Sequence, residues 1–403
     1  MQQVISGAML LLKLASLYFL VVALFALKKP KPIPRANPNI RFACVIAARN
    51  EERVIGGLIE SLLRQTYPKA LFDIYVMPNN CTDHTALAAI RAGAQVLRPE
   101  GEIRCKGDAL HEVFETLLKK EYDAFCVFDA DNVVDPAFLS RMNDAFCAGA
   151  KAAKGAMRVK NPEDSPLCAC YGLYFTCFDF FFSRARMNCG LSSKLVGTGF
   201  AVHRSVLEES HGWNSVTIAE DAEFAAYLAE TGTRVWFVPE AVTYDEAPTS
   251  VLVSLRQRRR WSSGVMDVAQ VRLGSLACGV FDEGGLRALD MFLMLTQPFC
   301  QVTSFFLGCA LVLTQPDAAR AILLLLGLAG GFFAMTIFAC LLSKIQGGRY
   351  NWRAILLFPL FMASWLPLNL VSILFRTRVW REIEHGKSNL PAVKRQLFQK
   401  AEF

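Results

Sequence analysis

The chain has 403 residues, 53% of them hydrophobic and 20% charged, with a net charge of +7. It is too apolar for an ordinary soluble protein and too polar for a pure membrane bundle. The apolar excess lies at the two ends, so a large soluble domain is expected between membrane segments. The positive charge clusters beside hydrophobic stretches: Lys28, Lys29, Lys31 and Arg35 after the first, Arg376, Arg378 and Arg381 after the last. That pattern suits the cytoplasmic surface of a membrane, and no nucleic-acid partner is expected. The 13 cysteines include no C-x-x-C pair, and many lie in apolar surroundings; reduced, buried thiols in a cytosolic catalytic domain are the expectation.

In chain order, residues 4–27 are apolar except for Lys13, with no small-residue cleavage site before the basic cluster. This reads as an uncleaved membrane helix whose basic flank puts the following domain in the cytoplasm. Pro30, Pro32, Pro34 and Pro38 then form a stiff linker. From residue 41 strands and helices alternate. Strands are predicted at 42–47, 72–77, 94–97 and 123–128, and helices at 51–65, 83–92, 106–118 and 136–146. Such alternation argues a doubly wound α/β sheet of the nucleotide-binding type.

The stretch 125–131, Phe-Cys-Val-Phe-Asp-Ala-Asp, is the centre of this domain. A short apolar run reads as a buried strand, and ligands of open α/β sheets gather at strand carboxyl ends. Asp129 and Asp131 are therefore candidates for holding a hard divalent cation, which takes oxygen ligands. A strand ending in a polar turn, with Asn132 and Asp135-Pro136 leading into the next helix, fits the same residues.

Further on, 167–187 is rich in aromatics and is expected to be a core helix, with a sugar-stacking surface as the lesser alternative. Gly197-Thr198-Gly199 suggests a tight turn where backbone approaches something closely, or an ordinary loop. Ile218-Ala219-Glu220-Asp221 opens a helix to about 230, and 234–238 is a strand. Residues 249–285 mix Arg256, Arg258, Arg259, Arg260 and Trp261 with aliphatics, as in amphipathic segments on a membrane surface. Apolar spans at 291–313, 321–342 and 354–375 are each long enough to cross a bilayer. Three crossings would put the Arg-rich tail outside, against the positive-inside tendency. The last span carries Pro359 and Pro367 and is the one expected to be interfacial or re-entrant. The predicted division is 1–35 membrane helix and linker, 36–248 soluble domain, 249–285 interfacial region, 286–376 membrane region and 377–403 basic tail.

Four signals stand in order: Ala48-Arg49-Asn50-Glu51-Glu52, Asp129-x-Asp131, Glu220-Asp221 and Gln257-x-x-Arg260-Trp261. Over roughly residues 40–265 the chain resembles the membrane-integrated family 2 glycosyltransferases, the cellulose, chitin, hyaluronan and poly-N-acetylglucosamine synthases. Tyr244-Asp245-Glu246-Ala247-Pro248 looks like the last branch, and one amino-terminal helix with three carboxyl-terminal spans looks like chitin-oligosaccharide synthases. The resemblance implies a GT-A type domain with a mixed, mostly parallel sheet, plus transmembrane and interfacial helices. It implies that Glu51, Asn79 and Asp83 hold uracil and ribose, and that Lys106 frames the nucleotide. The family usually has an acid where Asn79 stands. It further implies that Asp129 and Asp131 hold Mg²⁺ or Mn²⁺ and the diphosphate, and that Gly197, Thr198 and Gly199 lie beside the acceptor sugar. Asp221 matches the general base, although the family often has Thr or Gly where Ala219 stands. Gln257, Arg260 and Trp261 match the motif that binds diphosphate and stacks the growing end.

A carboxylate can take the proton from an attacking hydroxyl, cations can stabilise departing UDP, and an indole suits a pyranose face. Taken singly, Asp221 also fits a helix-start acid, and Arg258, Arg259 and Arg260 fit lipid binding. Together the signals imply a processive, inverting enzyme of the plasma membrane that extends a β-linked polysaccharide. Its donor is a UDP-sugar, UDP-N-acetylglucosamine first and UDP-glucose next, and its surroundings are membrane lipid. A single transfer to a lipid acceptor is the alternative, distinguished by product size. A non-catalytic nucleotide-sugar-binding regulator would be marked by loss of an acid from D-x-D or E-D, and neither acid is lost here.

Overall fold

A computed structural model describes residues 2–314, 318–347 and 351–376; the basic tail expected at 377–403 lies outside the described residues. Helix α1 (Gln2–Leu24) leads into the linker, which is pinned to the domain. Asn143 Oδ1 accepts from the backbone N–H of Asn39 and Ile40, and Arg35 pairs with Asp144 at 3.0 Å. Next come β1 (Phe42–Ala48), α2 (Ile55–Leu63), β2 (Phe72–Pro78), α3 (Thr85–Ala92) and β3 (Gln95–Val96). They are followed by α4 (Lys106–Leu117), β4 (Ala124–Asp129), β5 (Val133–Val134), α5 (Phe138–Cys147) and β6 (Ala152–Val159).

Helix α6 (Pro166–Cys177) starts on a favourable pair, since Ser165 Oγ accepts the Cys168 N–H and Pro166 tolerates the first helical turn. It runs through a π-helical segment, Phe178–Arg184, into α7 (Ala185–Asn188). Then come β7 (Phe200–His203), α8 (Arg204–Glu209), α9 (Glu220–Glu230) and β8 (Val235–Asp245).

The eight strands form one mixed sheet in the order β3-β2-β1-β4-β7-β6-β8-β5. Strands β1 to β4 are mutually parallel where they pair, β7 runs antiparallel between β4 and β6, and β6 pairs parallel with β8. Period-two alternation sends Phe42, Cys44 and Ile46 to the core under α2 and α5, and Ala43 and Val45 to the core with α4 and α9. Both faces are covered, which is why these strands read as continuous apolar runs.

Several predicted elements shift. The helix expected from 51 begins at Ile55, because 51–54 form the turn beside the site, and that expected from 83 begins at Thr85. The strand expected at 234–238 extends to Asp245. Strand β6 was not foreseen, because Lys154, Gly155 and Arg158 interrupt its apolar run. The sheet is the mixed, mostly parallel one that the family resemblance implies.

Residues 249–285 form chiefly one long helix, α10 (Val251–Gly279), packed against α9 and against two later helices, α11 (Gly285–Thr314) and, beyond α12 (Ala318–Gln346) and α13 (Trp352–Ala363), α14 (Trp365–Leu374). The last apolar span is broken at Ser364. Arg258, 3% exposed, donates to the Phe361 carbonyl at 3.0 Å and to Ser364 Oγ at 2.7 Å. A break at this depth leaves backbone acceptors to be satisfied, and Arg258 satisfies one from inside the protein.

By length and composition, four stretches among the described residues suffice to cross a membrane: Met9–Leu27, Gly285–Ala310, Leu325–Gln346 and Trp352–Leu374. A buried Arg186–Asp290 pair, 2.8 Å and bidentate, joined by the Tyr18 hydroxyl, ties α1, α7 and α11 together.

Candidate active site

Strand β4 delivers Asp129 to the carboxyl edge of the sheet, where Asn132 N–H closes a turn onto the Asp129 carbonyl at 3.1 Å. Lys106, the first residue of α4, reaches across. Its ammonium donates to Asp129 Oδ1 at 2.6 Å and to the Gly197 carbonyl at 2.8 Å, and stands 3.4 Å from Glu220. Burial opposes that charge, but Asp129 and Glu220 outweigh it and hold the Lys106 pKa above its usual range. Glu220 is pushed up to about 7, by burial first, with Lys106 opposing and Asp221 adding to the rise.

Gly197 and Gly199 both have positive φ, +56° and +64°. At Gly199 a Cβ would stand 2.6 Å from Thr243 Cγ2, so the turn accepts glycine alone there. The Gly197 N–H donates to Asp221 Oδ2, and the other Asp221 oxygen accepts the Ala222 N–H at 2.7 Å. The Gly-Thr-Gly turn thus joins the carboxylate end of β4 to the first turn of α9.

One cavity of about 1190 Å³ gathers Glu51, Asn79, Lys106, Asp129, Asp131, Gly197, Thr198, Asp221, Gln257, Arg260 and Trp261. Asn79 is 6% exposed and its Oδ1 is buried without a partner at the cavity wall. An amide there offers both an acceptor and a donor, which matches the edge of uracil. Two residues expected at the site do not line this cavity. Asp83 braces a loop instead, accepting from Thr85 and from the Glu52 N–H, and Gly199 sits behind the turn against Thr243.

The cavity also contains residues to which the sequence assigned no role. Asp245, at the end of β8, is raised well above the carboxylate range by burial and by Asp131 and Asp129. Lys154, 3% exposed on β6, is pushed down to about 8 by burial. Asp179, on the π-helical segment, is pushed up to about 6 by burial, against its 2.5 Å pair with Arg158. Trp365 lies near-parallel to Trp261, ring centroids 6.4 Å apart. The Tyr-Asp-Glu run was the one visible signal for Asp245; the others carry no local mark. The aromatic helix 167–187 is a core element, packed against α12 and α13, and Phe178, Phe181 and Phe182 also face the cavity.

Asp129 and Asp131 supply hard oxygens, and among the described residues no group of three His, Cys, Asp or Glu side chains is arranged to hold a metal. Two carboxylates at an open cavity fit a Mg²⁺-type ion that takes its other ligands from phosphate and water.

Beyond Trp261 the cavity continues between the apolar helices. One face of α11 presents Gln297, Gln301 and Ser304 to it, and α1 presents Leu12, Ser16 and Phe19. Asn369 on α14 donates to Gln301 Oε1 at 3.0 Å and accepts from Ser262 on α10 at 2.7 Å.

A family model described as Glycosyltransferase like family 2 matches residues 38–264. The chain is 28% identical over 248 residues to a probable glycosyltransferase, YdaM, of Bacillus subtilis, covering 58% of each. It is 28% identical over 237 residues to the beta-monoglucosyldiacylglycerol synthase of Synechocystis, covering 56% of this chain and 48% of that one. The chain therefore spans about half the length of these curated relatives. The solved structure of mannosyltransferase PcManGT from Pyrobaculum calidifontis, in complex with GDP-Man and Mn²⁺, matches with a TM-score of 0.59 at 19% identity, covering 93% of this chain and 96% of that one. At that identity the likeness is one of fold.

Proposed function

From the premise that the chain belongs to the family 2-like glycosyltransferases and has a GT-A-like fold, we propose that it is an inverting, divalent-cation-dependent hexosyltransferase that extends a β-linked glycan processively at the cytoplasmic face of the plasma membrane. The donor is a UDP-sugar, UDP-N-acetylglucosamine first and UDP-glucose next. The observation that carries this reading is the single cavity that joins the Asp129–Asp131 pair to Asp221, Gln257 and Trp261 and then continues between the apolar helices. Its polar lining from Gln297, Gln301 and Asn369 is unlike a lipid-facing surface, and intramembrane polar side chains commonly mark substrate paths. Leu12 lies fifteen residues inside the end of the Met9–Leu27 span, about 22 Å of helix against a hydrocarbon core of about 30 Å.

In this reading Glu51 and Asn79 hold the base and Lys106 orders the phosphate side. Asp221 accepts the proton of the acceptor hydroxyl as its oxygen bonds to the anomeric carbon. The bond to UDP breaks on the opposite face, so the configuration inverts and UDP leaves with the electron pair. A Mg²⁺ or Mn²⁺ ion at Asp129 and Asp131 would neutralise charge on the diphosphate. Arg260 adds a fixed positive charge, and Trp261 stacks the acceptor ring. Asp221 already accepts two N–H bonds and retains capacity for a third partner.

A second reading is one transfer to a lipid acceptor. It is supported by the relatives named beta-monoglucosyldiacylglycerol synthases and by the apolar wall that α1 gives the cavity through Leu12 and Phe19. Purified protein with a panel of radiolabelled UDP-sugars separates the two. A ladder of oligomers supports processive extension, a single glycolipid supports lipid transfer, and absence of UDP release across the panel overturns both.

A further inference from the structure

At the carboxylate pair, five residues form one hydrogen-bonded chain that is buried at its centre. The Asp129 N–H donates to Thr198 Oγ1 at 3.0 Å, and the Thr198 hydroxyl donates to Asn132 Oδ1. The Asn132 amide nitrogen donates to Asp131 Oδ1 and to Asp245 Oδ1, each at 3.2 Å. Asn132 and Thr198 are each 1% exposed.

The orientation of the Asn132 amide is dictated by its partners. Asp131 Oδ1 and Asp245 Oδ1 both accept from the amide nitrogen, and the amide oxygen takes the Thr198 hydroxyl. Three separate segments meet on this one side chain: the end of β4, the turn before β7 and the end of β8. Two of them bring the Asp131 and Asp245 carboxyl groups onto one shared donor. The third is the turn whose Gly197 N–H holds Asp221. A network with its centre buried, as at Asn132 and Thr198, rigidifies what it joins.

We propose that Asn132 is a positioning residue that fixes the spacing of the Asp131 and Asp245 carboxylates and, through Thr198, ties that spacing to the turn beside Asp221. Donor-side and acceptor-side geometry then depend on one polar strut. This rests on the glycosyltransfer function proposed above.

Replacing Asn132 by Ala removes the shared donor and leaves the Thr198 hydroxyl without its acceptor. Replacing it by Asp puts a third carboxylate against two others. Thr198→Val keeps the shape of the turn residue and deletes the hydroxyl, whereas Thr198→Ser keeps the hydroxyl.

The test uses the full chain in lipid nanodiscs. Binding of Mn²⁺·UDP is titrated directly, and kcat and KM are taken from UDP release. Asn132→Ala and Asn132→Asp are expected to weaken Mn²⁺·UDP binding about tenfold to a hundredfold, the range for partners that orient metal-facing ligands, and to lower kcat. Thr198→Val is expected to lower both quantities and Thr198→Ser to restore them. The Asn132→Ala/Thr198→Val double variant is expected to be no worse than Asn132→Ala, because both act on one chain. Wild-type Mn²⁺·UDP affinity in Asn132→Ala, a Thr198→Ser variant as impaired as Thr198→Val, or multiplicative losses in the double variant would each overturn the proposal. If Asn132→Ala does not fold, the Thr198 pair decides alone. Binding of Mn²⁺·UDP by a wild type that releases no UDP would sink the proposed function while leaving the binding comparison readable.

Discussion

At Asp129, a charge at a strand end meets a lysine from a helix start, which also donates to a glycine carbonyl from a turn, all at the mouth of an open cavity. At Arg258, a charge lies inside the protein and donates to the carbonyl and hydroxyl at a broken apolar helix. The first arrangement presents its groups to a ligand. The second uses the same chemistry to keep a wall in place. Around the sheet, ionisable side chains recur within short segments. Among the apolar helices, neutral amides such as Gln301 and Asn369 face the cavity, and the one deeply buried arginine of α10 is committed to structure. A charge therefore identifies a ligand-facing site only when its partners leave it turned toward open space.

The largest expected break of this contrast is Asp221→Asn. If Asp221 is the base, kcat should fall at least about a hundredfold with UDP-sugar affinity unchanged, read from UDP release and donor titration. Near-normal transfer would move the base elsewhere, with Glu220 the next carboxylate to change.

Asp129→Asn and Asp131→Asn come next. They should lower turnover about tenfold to a hundredfold and weaken cation-dependent donor binding. Wild-type activity that persists in EDTA would remove the cation from the account.

Arg258→Leu tests the other half. It should destabilise the protein by about 1.5–3 kcal/mol, the range for hydrogen bonds to a charged group, and thermal inactivation should move down while donor affinity stays. Donor affinity lost without loss of stability would place Arg258 among the ligand-facing residues after all.

Trp261→Ala should be milder still. Stacking of this kind contributes about 0.5–1.5 kcal/mol, so acceptor KM should rise severalfold and products shorten, with donor binding intact. An unchanged product distribution would argue against a stacking role.

Glu220→Gln is the smallest and sharpens the electrostatic side. The folded protein binds the Glu220 proton more tightly than the unfolded chain does, since its pKa is raised from 4.5 to about 7. Stability tied to this group therefore falls as pH rises between those values. The variant should gain a few degrees of Tm at pH 8 and nothing near pH 4. A gain at both pH values would assign the effect to packing.

Much of the candidate site is legible from residue order. The Asp129-x-Asp131 pair, Glu220-Asp221 and Gly197-Thr198-Gly199 are each local patterns, and each lies where its local element ends or begins. Asp83 braces its own loop beside the cavity, since the Asx-turn chemistry that makes an acid useful in a ligand loop also makes it a brace. Strand β6 escaped because a buried lysine and a glycine break the apolar run that marks a strand. Arg258 was grouped with its neighbours Arg256, Arg259 and Arg260, since sequence does not show which side of a helix another element will cover.

What the sequence alone determined is everything that depends on spacing along the chain: the strand–helix alternation, the acids at strand and helix ends, and the apolar stretches long enough to cross a bilayer. What only the tertiary structure decided is which distant segments share a point. The antiparallel insertion of β7, the meeting of Asn132 with Asp245 across 113 positions, and the contact of Arg258 with Phe361 across 103 are of this kind. Periodicity and propensity act over a few residues, whereas such meetings depend on how whole layers pack.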